Sequence, residues 1–189
     1  MASIKISGDT SGEITISAPA VAGTNTLTLP ASTSTIATTD VATNTPIFAV
    51  RILSTQTISD ATETKIAFDG EEIDTDNAFD STTNYRFTVP AGKAGKYKFD
   101  LLVRVDANNN TDLRTGIARI YKNGSIFKGS YNNYSVNDIR AISFSLSCIA
   151  DLSVGDYIEA YVNVDAVDNN DSAINGGTYS QFSGHRLIG

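Results

Sequence analysis

Apolar and polar residues alternate along most of this chain, and they do so with a period of two. In residues 84–105 (NYRFTVPAGKAGKYKFDLLVRV), Phe87 and Val89 share one face, and Pro90, Gly92 and Gly95 then break the pattern. Beyond the break, Tyr97, Phe99, Leu101, Val103 and Val105 alternate with Lys96, Lys98, Asp100 and Arg104. Alternation of that length marks a half-buried strand. Pro cannot donate to a ladder and Gly tolerates positive φ, so the break reads as a turn. The expectation is an antiparallel hairpin at the centre of a β domain.

The same pattern recurs on both sides. PIFAVRIL is a strongly apolar strand, TETKIAFD a weaker one, and GEEIDTDNAFDSTTN a polar, acidic connection. RTGIARIYKNG ends in Lys-Asn-Gly, a hairpin signal, and continues into SIFKGSY. In DIRAISFSLSCIADL, Ile142, Phe144, Leu146 and Cys148 alternate with Ser143, Ser145 and Ser147. SVGDYIEAYVNVDA turns on Gly155-Asp156, and GTYSQFSGHRLIG closes the chain. Helix-period stretches are hard to find. About eight to ten strands at this spacing fit an all-β sandwich or jelly roll.

Residues 1–45 differ from residues 46–189, and a domain boundary is expected there. The first segment has no aromatic residue, and its only charged side chains are Lys5, Asp9, Glu13 and Asp40. SIKIS, EITIS and TNTLTLP read as short strands separated by Gly and Pro turns. One copy of such a segment cannot enclose a core, so it is expected to wrap around a threefold axis with partner copies or to dock into a larger assembly. A disordered Thr/Ser-rich arm is the alternative.

Composition narrows the partners. The formal charge is −7, with no cluster of Lys and Arg, which argues against nucleic acid. No apolar run is long enough for a membrane span. The start lacks the basic and apolar regions of a secretory signal. One cysteine excludes an intramolecular disulfide and a multi-cysteine metal site.

From Pro46 onward the chain resembles the C1q-like head, the trimeric jelly roll of the complement and tumour-necrosis-factor type. Phe68, Asp74, Phe79, Phe87, Gly95, Tyr97 and Phe99 follow the order of that family's signature, although the intervals before and after Phe87 look slightly long. PIFAVRI, IARIYKNG, LSVGDYIEAYV and SQFSGHRLI resemble four more of its strands in the right order. The resemblance implies a jelly roll of about ten strands that forms a homotrimer. Phe48, Phe87, Tyr97, Phe99, Leu101, Phe144, Tyr161 and Phe182 would then be core or trimer-contact residues. The arm segment GEITISAPAVAGTNTLTLPASTSTIATTD is similar to a recurrent segment of bacteriophage virion and tail-fibre proteins. There is no collagen repeat before the head.

Candidate chemistry is sparse. His185 is the only histidine, and no nucleophile elbow is present, so a structural histidine is the favoured reading. Cys148 alternates with Leu146 and Phe144 and reads as a small core residue. Asp69, Glu71, Glu72, Asp74, Asp76 and Asp80 could offer oxygens to Ca²⁺, as could the Asn/Asp loops at 106–112 and 165–171. No EF-hand spacing is present, and a solvated acidic loop is favoured over the calcium site. Tyr131, Asn132, Asn133 and Tyr134, with Asn169 and Asn170, suit saccharide recognition through ring stacking and amide hydrogen bonds. The competing reading, which has the edge, puts the tyrosines at a subunit interface and the Asn residues in turns.

Arm and head together imply a phage structural protein: a homotrimeric short fibre, spike or capsid-decoration protein on the virion surface, made in the host cytoplasm. The arm would join other virion proteins, and the head would adhere to a host-surface glycan or protein, without catalysis or a resident cofactor. A polysaccharide depolymerase is the enzymatic alternative. It would need two carboxylates about 5–9.5 Å apart, and no acidic pair stands out on a strand face. A non-viral C1q-like lectin is the third reading.

Overall fold

The structure is a computed structural model that describes residues 3–7, 11–17, 23, 44–108 and 111–187. The chain divides into two compact units, Met1–Ala37 and Thr38–Gly189. In the first, strand β1 (Ser3–Ser7) pairs antiparallel with β2 (Glu13–Ser17). Gly12, at φ 87°, lies in the link between them. The register sets Ile4 opposite Ile16, and Ile6 lies two residues from Ile4, so these three isoleucines share one face. Ile4, Ile6 and Ile16 are exposed. The third expected strand, TNTLTLP, lies outside the described residues.

The second unit is a two-layered β structure with no α-helix among the described residues. Its strands are β3 (Ile47–Arg51), β4 (Gln56–Ile58), β5 (Thr64–Lys65), β6 (Gly70–Asp74), β7 (Phe79–Asp80), β8 (Arg86–Thr88) and β9 (Gly95–Asp106). They continue as β10 (Leu113–Lys122), β11 (Ser125–Asn133), β12 (Ala141–Leu152), β13 (Tyr157–Ala166), β14 (Ser172–Ile174) and β15 (Gln181–Arg186). One sheet runs β11-β10-β13-β8-β7, with β5 also on β13. The other runs β4-β14-β9-β15-β3-β6, with β12 paired to β9 along its whole length. All these pairings are antiparallel.

Residues 84–105 correct the hairpin expectation. β8 pairs with β7 and β13, whereas β9 pairs with β12, β14 and β15. The Pro90–Gly92 break therefore carries the chain from one sheet to the other. Period-two burial is the same for a hairpin and for such an arch, because each strand has one inward face either way. Across the gap, Phe87 and Phe99 meet edge to face with ring centroids 5.8 Å apart. The hairpin expected after β10 does form. Asn123 (φ 52°) and Gly124 (φ 74°) are both left-handed between the paired Lys122 and Ser125, the requirement of a two-residue type I′ turn.

The core lies between the sheets. Phe48, Phe87, Tyr97, Phe99, Leu101, Phe144 and Phe182 are all buried there. Gly184 sits between Phe48 and Phe99 in the register, and a Cβ on it would stand 2.6 Å from the Phe99 ring and 2.7 Å from that of Phe48. The aromatic cluster needs this missing side chain to close.

The register also gives the head two distinct ends. The Arg186 amide donates to the Pro46 carbonyl and the Leu187 amide to that of Lys96. The first and last parts of the head thus meet at one end, hereafter the near end. The turns at residues 90–94 and 153–156 lie there too, since Val89 donates to the Asp156 carbonyl and Gly95 pairs with Leu152. β9 finishes at the opposite end, where β10 begins and where β11 and β13 stop.

Candidate functional site

Four connections converge on this far end, described at residues 59–63, 107–108 with 111–112, 134–140 and 167–171. Main-chain bonds tie them together: Ala107 donates to Arg140, Val167 to Asp112, and Tyr134 to Arg114. Side chains add to this. Asn108 Nδ2 donates to the Asp171 carbonyl at 2.9 Å, and Asp60 Oδ1 accepts the Ala166 amide at 2.7 Å.

Asn and Asp shape the turns. Asn108 (φ 51°) and Asn169 (φ 55°) hold left-handed backbone, which Asn tolerates better than most residues. Asn133 Oδ1 accepts the Ser135 amide, and Asp168 accepts both the amide and the side-chain Nδ2 of Asn170. Of the saccharide candidates, Tyr131, Asn133, Asn169 and Asn170 are exposed, while Asn132 is half-buried. Tyr134 is also half-buried and packs against the core. Val136, 90% exposed, projects from the 134–140 connection.

Electrostatics fix the base of this surface. Arg114 makes a two-pronged contact with Asp165, through Nε at 2.5 Å and Nη2 at 3.0 Å. That bond holds the Asp165 carboxyl below its ordinary range and raises the Arg114 guanidinium, with Asp60 and Asp138 adding to the latter. Asp106, almost buried, lies between Arg104 at 3.1 Å and Arg140 at 3.6 Å. Arg104 also donates to Asn175 Oδ1 and sits 5.5 Å from the centre of the Tyr179 ring. Sequence reasoning did not single out these pairs. Arg114 and Asp165 are 51 residues apart, and only strand pairing brings them together.

The acidic stretch takes a different form. Asp69 accepts the Leu53 amide, Glu71 the Ser81 hydroxyl, and Glu72 pairs with Arg51 at 3.2 Å. Asp74 accepts the amides of Ala78 and Phe79, and its carboxyl is nevertheless raised, chiefly by burial. Asp76 lies 3.9 Å from Lys93. Asp80 accepts the amides of Thr82, Thr83 and Asn84 and is held well below its ordinary range by them. Glu71, Asp76 and Asp80 line an open cleft of about 580 Å³ together with Asn77, Thr88 and Pro90. Among the described residues, no group of three His, Cys, Asp or Glu side chains is placed to hold a metal ion.

Tyr161, expected in the core or at a trimer contact, is not in the core. It is half-buried on the outer face of its sheet, because inward Ala160 and Val162 flank it. There it packs against Tyr121, the rings tilted with centroids 4.2 Å apart, and Lys65 lies 5.7 Å from its ring centre. Lys65 in turn reaches Glu159 at 2.5 Å. Cys148 is buried on the inward face of β12, and burial raises its thiol. His185 follows the inward Gly184 and therefore points outward, so the two cannot act together.

No protein-family model matches this chain, and no curated protein does. Solved structures do. The globular domain of the zebrafish complement 1qA protein is 16% identical, over 75% of this chain and 97% of that one, with a TM-score of 0.49. Murine APRIL is 11% identical, over 75% of this chain and 99% of that one, with a TM-score of 0.53. At such identities the likeness concerns the fold, and the second match, with the observed topology, carries it. The second unit of this chain has the C1q/TNF-like jelly-roll fold.

Proposed function

We propose that this chain is a homotrimeric virion protein of a bacteriophage, mounted by its N-terminal arm and touching the host through the far end of its head. The observation that carries the reading is the polarity of the head. Its first and last strands meet at the near end, and its irregular, Tyr- and Asn-bearing connections gather at the other. A body anchored at one end presents the opposite end to whatever it meets, and contact surfaces commonly sit on loops held by a rigid scaffold. The work is adhesion, not chemistry.

Self-association draws support from two uncovered features. β12 runs for twelve residues without a register shift, pairs only with β9 among the described residues, and carries a single charge, Asp151. Unprotected edges of that length are normally covered. On the outer face of the same sheet, exposed Leu102 and Ile149 stand among Ala49, Ser145, Ser147 and Ser183, with the Lys98–Asp100 ion pair between them. The isoleucine face of the β1–β2 hairpin gives the arm a similar need, since an isolated two-stranded hairpin is marginal in water. The phage assignment is supported by the arm's similarity to phage virion and tail-fibre segments.

Light scattering tests the assembly: the chain should run at three times 20.1 kDa, and a stable monomer would remove the trimer. A mass-spectrometric census of purified virions tests the location. Absence of the chain from virions would leave a free-standing lectin-like module.

A further inference from the structure

Charge is unevenly spread over the head. Its lysines are Lys65, Lys93, Lys96, Lys98, Lys122 and Lys128, and none belongs to the far-end connections. The cations described against carboxylates of that end are Arg104, Arg114, Arg140 and Arg119, the last paired with Glu63 of the 59–63 connection. Asp60 and Asp138 stand close enough to Arg114 to act on it as well, and Asp168 and Asp171 add charge in the next connection. Carboxylates therefore outnumber guanidiniums. An anionic ligand arriving here would meet like charge, and each guanidinium within its reach already lies against a carboxylate.

The same surface offers what uncharged sugars use. Tyr131 is 59% exposed, and a pyranose face stacks on an exposed aromatic ring. Asn133 is exposed two residues further along the same strand face, Asn169 is exposed in the 167–171 connection, and ionised carboxylates accept hydroxyl protons in strong, charge-assisted bonds. We infer that the far end selects an uncharged saccharide and turns away uronic acids, sialic acids and phosphorylated glycans. The inference rests on the reading of the far end as the contacting surface and adds the ligand class to it.

The test measures retention of the full chain on immobilised dextran, mannan and galactan against alginate, polygalacturonate and dextran sulfate, at low and physiological salt. Retention on at least one neutral polymer, little changed by salt, and none on the anionic set is expected. The Asp138→Lys, Asp171→Lys double variant should keep the wild-type melting temperature and gain about ten-fold in retention on the anionic polymers at low salt. Wild-type retention on an anionic polymer would overturn the selectivity. Retention on none of the six by a chain that still adheres to host cells would overturn the saccharide class in favour of a protein receptor. Failure to adhere to host cells at all would instead remove the contact reading underneath.

Discussion

Phe99 lies directly over Gly184, at a distance where even one methyl group on the glycine would collide with the ring. Strand β15 is the seam between β3 and β9, and its glycine lets Phe48 and Phe99 fold inward over it toward Phe182, 5.2 Å and 6.1 Å from those two rings. Gly184→Ala should therefore destabilise the head by about 1–3 kcal/mol through overpacking. Chemical denaturation checks this, and an unchanged midpoint would mean that the aromatic cluster is looser than its geometry implies.

Tyr97 couples the core to the near end. Its ring is fully buried, and its hydroxyl donates to the Lys93 carbonyl at 2.5 Å. Tyr97→Ala should cost about 3–5 kcal/mol, and Tyr97→Phe, which loses only the hydrogen bond, about 1 kcal/mol. Burial also pushes the phenol up to about 12, so ultraviolet titration should find, beside Tyr121, which burial also raises, a late transition from Tyr97. The Phe variant should lack that late transition.

How much of this was legible in the sequence depends on the range of the contact. Alternation in β12 and β13 reveals which side chains face the core, and it even reverses the placement of Tyr161, whose neighbours Ala160 and Val162 take the inward positions. The Asn123-Gly124 turn is legible because its backbone demands those residues. The route of residues 84–105 is not, since an arch and a hairpin share one pattern, and only the pairing partners of β8 and β9 separate them. Nor are the two ends of the head. They exist only once residues such as Arg186 and Pro46, distant in sequence, are hydrogen-bonded.

Asp156 gives a pH signature. Its carboxyl, held by Asn123, the Ser153 amide and Lys122, is lowered from 3.8 to about 2. A depressed carboxyl stabilises the fold above its unfolded value and loses that contribution as pH falls through the folded value. Stability should therefore drop between about pH 4 and pH 2. In Asp156→Asn that part of the slope should be shallower. Equal slopes for the two proteins in acid denaturation would refute the linkage.

The arm should act in assembly and not in folding of the head. Ile4→Asp with Ile16→Asp puts two carboxylates on the isoleucine face of the hairpin, where Ile4 is 66% and Ile16 47% exposed. The variant should lose oligomer mass in light scattering while the head's melting transition persists. Full retention of the assembly would assign self-association to the head alone.

The polarity of the head is the central claim, and blocking each end in turn tests it most directly. A bulky polymer can be attached through a cysteine placed at Asn137, on the far end, or at Ala91, on the near end; native Cys148 is buried and should not compete. Adhesion to host cells is then measured for both conjugates. The account predicts that the Asn137 conjugate loses adhesion and the Ala91 conjugate keeps it. Loss confined to the Ala91 conjugate, or adhesion undisturbed at both ends, would contradict it.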